Sequence, residues 1–243
     1  MFCQSTRIDS GRVGIFSRVF LYGLSYLLLH EQGHFVQGHL GYASLPHAVV
    51  EWFEASDVNK HSHIDPLTSR ALEWDADAFA GTTHFFAMVA PGKPAEQPLT
   101  REWLLGQEKE LILSWAGAVA TSGLLCVADR SITRTASERR HPSSAYRTMT
   151  LLVALDTFLQ ECGFNEDESD DLIARAIKEG RIVYRHFGVM DELASALLCR
   201  AGRLDNDHPL HQERISIIRR RNQIESDLER YRQEVLENFP IPE

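Results

Sequence analysis

The chain is poor in cysteine, and Cys3, Cys126, Cys162 and Cys199 stand apart with no CxxC pair among them. That spacing excludes a disulfide-dense scaffold and a zinc knuckle, and it fits a reduced, cytoplasmic protein. A basic surplus is missing as well. The formal net charge is −9, which argues against a nucleic-acid surface, because neutralising phosphates takes clustered Lys and Arg. Long uninterrupted apolar runs are also scarce. Arg7, Arg12 and Arg18 precede the apolar stretch Val19 to Leu29, in the manner of a secretory leader. No small-residue cleavage site follows it; His30 and Glu31 do. The stretch is too short to cross a bilayer, and it reads as the buried first half of a longer helix.

What is present is an ordinary soluble composition, 44% apolar and 24% charged over 243 residues, enough for a self-sufficient core. Leu111 to Ala128 carries no charge but is rich in Ala, Gly, Ser and Thr. It is expected to be a core helix rather than a membrane anchor, with membrane association through residues 111–128 as the alternative. No proline interrupts Val13 to Leu40, and its apolar residues recur with helical spacing. Further helices are expected from Pro66, capped by Asp65, to about Val89, and one or two from Thr100 to Ala128. Others should span Ser143 to Gly163, Glu166 to Gly180, residues 189–201, and Pro209 to Leu236. Val49 to Phe53 is a candidate short strand, and Ile182 to Phe187 either a strand or a helix continuation. The fold class is therefore mainly α with minimal strand. Residues 1–90 would supply the metal-binding helices, and 91–243 a helical region packed on them, as one compact domain.

The chemistry concentrates in Leu29-His30-Glu31-Gln32-Gly33-His34, which contains H-E-x-x-H. On a helix, residues four apart share a face, so both imidazoles reach one cation. Glu31 sits about 100° around the helix from His30, where its carboxylate can take the proton of a water polarised by zinc. Composition alone gives about 0.04 chance matches to this pattern, so a helix that merely happens to carry two histidines is the weaker alternative.

A catalytic zinc takes three protein ligands and keeps one place open. The extended pattern with a third histidine fails here, because Gln37 and Leu40 occupy the required positions. Glu73 fits instead, in Glu73-Trp74-Asp75-Ala76-Asp77-Ala78-Phe79-Ala80. Small Ala76 and Ala80 allow two helices to approach closely. Asp77, one turn beyond Glu73, is placed to accept the remaining N–H of a ligand histidine. A solvated acidic face is the plain alternative.

H-E-x-G-H followed some forty residues later by E-[aromatic]-x-A-D resembles the gluzincin metallopeptidases, above all the heat-shock and CAAX-processing type and the Lit phage-exclusion peptidases. The resemblance covers residues 22–80. It implies Zn²⁺ on His30, His34 and Glu73, Glu31 as general base, and a zincin-like helix pair. With the Lit family it also implies an intracellular protein substrate, such as a translation factor cleaved in phage defence. Gluzincins often carry a later H-P-x-x-x-x-R, and this chain has two: His141-Pro142 to Arg147, and His208-Pro209 to Arg214. The first leads into an apolar helix, which favours His141 and Arg147 for stabilising an oxyanion. Only 29 residues precede the motif, too few for the sheet that usually lies upstream in such peptidases. The rival expectation is a zinc-containing binding module without catalysis, for which an intact Glu31 would be superfluous.

Overall fold

The structure, a computed structural model, describes residues 10–43, 64–89, 98–130, 140–186 and 188–238. Among the described residues there are helices and no strand, so the fold is mainly α. The helices are α1 (Ser10–Val36), α2 (His39–Ala43), α3 (Pro66–Val89), α4 (Arg101–Leu105), α5 (Glu108–Arg130), α6 (Ser144–Glu161), α7 (Glu166–His186), α8 (Met190–Arg200) and α9 (Pro209–Asn238). The candidate strand at Val49 to Phe53 lies outside the described residues. Residues 182–186 continue α7 as helix.

Local chemistry sets the helix ends. Asp65 caps α3, its Oδ1 accepting from the amides of Leu67 and Thr68 at 3.0 Å each, and Pro66 occupies the first turn, where its missing N–H costs nothing. Ser143 caps α6 through the Tyr146 amide at 3.2 Å. Asn165 and Glu168 satisfy one another reciprocally at the start of α7, at 3.0 and 3.1 Å, which is a capping-box arrangement. The break between α1 and α2 falls at Gly38, whose φ of +77° suits glycine. A Cβ there would lie 2.9 Å from backbone atoms of Leu228 and Arg232 in α9.

Two helices organise the packing. α1 lies against α5 and α3, and α3 in turn touches α6 and α9. α7 covers α5, α8 covers α6, and short α2 rests on α9. One apolar core links these layers, with Phe85 of α3, Trp115 of α5, Phe158 of α6 and Tyr184 of α7 fully buried. Leu111 to Ala120 are all buried, so that stretch of α5 is a core helix.

The expectation for α1 is corrected. Its Tyr26 and His30 face the interior, but Phe20, Leu21 and Leu28 are 69%, 61% and 63% exposed. The helix is apolar around most of its circumference, and α3 and α5 cover only one stripe of it. Val13–Val36 is long and apolar enough to cross a membrane, and only 22% of its apolar stretch is buried.

Phe158, which packs on Phe85 and Phe86, tests where this core sits. Phe158→Ala is expected to lower unfolding stability by about 3–5 kcal/mol. Val153→Ala, on the half-exposed face of the same helix, should cost about 0.5 kcal/mol or less. Urea titration of both variants measures the contrast, and equal losses would contradict the packing described.

Candidate metal centre

The centre forms where α1 and α3 come closest. Gly33 makes the approach possible: a Cβ at this position would stand 3.2 Å from Ala76 Cα and 3.1 Å from the Phe79 ring. His30 and His34, one turn apart on α1, then face Glu73 on α3. The two Nε2 atoms are 3.2 Å apart. His30 Nε2 lies 3.4 Å from Glu73 Oε2, and His34 Nε2 lies 3.5 Å from Glu73 Oε1. All three residues are buried, and one donor atom from each lies within 4.8 Å of the others. Two imidazole nitrogens and a carboxylate converging in this way could hold a metal ion.

The surroundings tie each donor in place. His30 Nδ1 is 2.9 Å from Asp77 Oδ1, and Asp77 also accepts from the Tyr26 hydroxyl at 2.9 Å. Arg147 of α6 spans the two acids, donating from Nη2 to Glu73 Oε2 at 2.7 Å and from Nη1 to Asp77 Oδ1 at 3.1 Å. His141, on the connection before α6, brings Nδ1 to 3.0 Å from Glu73 Oε2, with 47% of its side chain exposed. The first H-P-x-x-x-x-R therefore reaches the centre. In the second, His208 Nδ1 instead accepts from the Leu210 amide at the start of α9, and Arg214 is exposed.

Electrostatics follow from burial and pairing. Burial opposes charge on Glu73, yet His141, His30 and His34 hold its carboxyl well below the usual range. Asp77 is likewise lowered, with Arg147 and His30 outweighing burial. Burial also opposes charge on His30, but the Asp77 and Glu73 carboxylates prevail and raise it to about 10. His34 is pushed down to about 3, chiefly by burial.

Glu31 follows His30 on α1 and is exposed, so it has no part in holding the core together. His84, two to three turns beyond Glu73, sits apart from the centre with Nε2 2.8 Å from the Ser114 hydroxyl; burial lowers it to about 4. His61 and His63 lie outside the described residues.

Four residues of the centre's surroundings escape a reading of the sequence. His39 of α2 is fully buried, and its Nδ1 meets His34 Nδ1 at 2.9 Å. Its Nε2 lies 3.1 Å from Asp75 Oδ2. Asp75 is held in turn by Arg221, with Nε 3.1 Å from Oδ1, and by Arg232, with Nη2 3.6 Å from Oδ2. Helical spacing turns Asp75 about 200° away from Glu73, so nothing in the local sequence couples it to the motif. The His39 position one residue short of the familiar third-histidine place was the available signal. No protein family, characterised protein or solved structure matches the chain.

Removing the guanidinium between Glu73 and Asp77 would leave two buried carboxylates facing one another. Arg147→Leu is expected to lower stability by about 3–5 kcal/mol, measured by urea denaturation of the metal-free protein. Adding Asp77→Asn should recover part of the loss. A change below about 1 kcal/mol would show that Arg147 is not bearing this charge.

Proposed function

We propose that the chain is a zinc-dependent peptidase of the gluzincin type that hydrolyses a peptide bond in a protein substrate. One observation carries the proposal: the mutual spacing of the three donors. A tetrahedron with zinc–ligand distances near 2.0–2.1 Å has edges of about 3.3 Å. The two imidazole nitrogens stand 3.2 Å apart, and they lie 3.4 Å from Oε2 and 3.5 Å from Oε1 of Glu73, so each contact between the three groups falls near that edge. Borderline nitrogen and carboxylate donors suit zinc, and no thiol is among them.

A zinc ion held by His30, His34 and Glu73 supplies Lewis acidity, which makes a water nucleophilic near neutral pH and polarises a carbonyl. The protein's own groups do the rest. Glu31 takes a proton from the attacking water and returns it to the departing amine. His141, half exposed beside Glu73, is placed to donate to the oxyanion that develops on the substrate. Arg147 is 2% exposed and paired with both acids, so it acts through Glu73 and is a positioning residue rather than a catalytic one.

Two features favour catalysis over a zinc site that only stabilises the fold. The described donor group offers three ligands, whereas structural zinc usually takes four. Glu31 also faces solvent without contributing to the core. The likeness to the Lit peptidases extends the proposal to an intracellular substrate such as a translation factor.

A second reading concerns location. The exposed apolar side of α1 supports placement of the same centre against a membrane rather than free in the cytoplasm. Flotation of the protein with neutral phosphatidylcholine vesicles decides this: co-flotation that Phe20→Ser with Leu28→Ser abolishes supports the membrane, and a protein left at the bottom supports the cytoplasm.

Glu31→Gln is expected to bind zinc as the wild type does and to lose cleavage by 10²-fold or more, on the order of a general base's contribution. Glu73→Ala should weaken zinc binding itself. Zinc titration, together with proteomic detection of new termini in cells expressing either form, provides the check. Cleavage retained by Glu31→Gln would remove Glu31 from the mechanism.

A further inference from the structure

A ring nitrogen can bind a cation only if it carries no proton. For His34 that nitrogen is Nε2, so the neutral ring must keep its proton on Nδ1. Nδ1 points away from the centre and meets the Nδ1 of His39 at 2.9 Å. Two imidazole nitrogens at that distance need one donor and one acceptor. His39 can play either part, so the contact by itself leaves the direction open.

Asp75 closes that choice. Its carboxylate only accepts, and it stands 3.1 Å from His39 Nε2. A neutral His39 therefore carries its proton on Nε2, which leaves its Nδ1 bare, and His34 donates into it. The opposite arrangement would set a lone pair of His39 against a carboxylate and place a proton on His34 Nε2, facing Glu73. Arg221 and Arg232 flank the same carboxylate, with Nε 3.1 Å from Oδ1 and Nη2 3.6 Å from Oδ2. His39 is fully buried and Asp75 nearly so, and so water is poorly placed to substitute for either partner.

We propose that Asp75, acting through His39, selects the tautomer of His34 and so prepares its Nε2 as a metal ligand, with α9 anchoring the chain through Arg221 and Arg232. Asp77 stands 2.9 Å from the corresponding Nδ1 of His30. Each ligand histidine thus has an acid of α3 behind it, one at first hand and one through a second imidazole. His39 and Asp75 are positioning residues: they touch neither substrate nor ion. The inference rests on the metal-site proposal for its purpose, though not for its geometry.

The test uses the full chain in two arms. In the metal-free protein labelled with ¹⁵N at histidine, long-range ¹H–¹⁵N correlation reports which nitrogen of each ring is protonated. His34 is expected as the Nδ1–H form, and Asp75→Asn should depopulate that form. In the second arm, competition with a chromophoric chelator measures zinc affinity. His39→Leu and Asp75→Asn should weaken it by about 10- to 100-fold, the range for outer partners of metal ligands. His39→Gln can accept from His34 and donate to Asp75, so it should restore most of the affinity. An Nε2–H form of His34 in the wild type overturns the inference, as does unchanged zinc affinity in a folded His39→Leu protein. Should His39→Leu fail to fold, the wild-type tautomer and the Asp75→Asn spectrum still decide. If the wild type takes up no zinc, the metal-site proposal fails, while the tautomer arm continues to judge the Asp75–His39 relay independently.

Discussion

The structure depends on three acids that one helix carries into the protein interior. Glu73, Asp75 and Asp77 occupy alternate positions of α3, and all three are buried. A carboxylate removed from water is costly unless it is paired and hydrogen-bonded. Four elements around α3 answer that demand. α1 brings His30 and His34, and α6 brings Arg147 with His141 just ahead of it. The opposite side receives His39 from α2 together with Arg221 and Arg232 from α9. Helix packing around α3 is therefore an electrostatic arrangement as much as an apolar one. The apolar core alone would not specify where these basic groups go.

That arrangement also explains how residues able to hold a metal ion come together in a small helical frame. Side chains on regular helices are more narrowly fixed than those on loops, and here both ligand-bearing elements are long helices in close contact at Gly33 and Ala76. The C-terminal helix strengthens the frame at a second place. Glu213 of α9 accepts from the Ser143 amide at 2.9 Å and from its hydroxyl at 2.5 Å, which fixes the connection that carries His141. α9 thus steadies the centre from two directions, through Ser143 toward His141 and through Asp75 toward His34.

Much of this was legible in the sequence, for reasons that differ from element to element. Pro66 with Asp65, Gly163, and Pro209 mark helix ends by local chemistry, and the observed boundaries fall within a few residues of them. The spacings His30 to His34 and Glu73 to Asp77 are one helical turn each, so their shared faces follow from the period alone. The His39–Asp75–Arg221 relay obeys no such period. Its members lie on α2, α3 and α9, and only tertiary packing brings them together. The exposed side of α1 was illegible for another reason: an apolar helix reads as buried, and composition does not say which stripe finds a neighbour. Between the two H-P-x-x-x-x-R segments the sequence offered little contrast. The difference arises because Ser144 to Glu161 packs on α3, whereas His208 is engaged in starting α9.

Zinc binding at this centre requires two imidazoles and one carboxylate to gather a single ion. X-ray absorption at the zinc edge, on protein reconstituted with one equivalent of zinc, reads the ligand set directly. The expected spectrum shows two imidazole shells and light-atom neighbours at about 2.0–2.1 Å, four-coordinate in total and without sulfur. A sulfur shell near 2.3 Å, or the same imidazole signal in a Glu73→Ala, His34→Ala protein, would place the ion elsewhere and contradict the assignment.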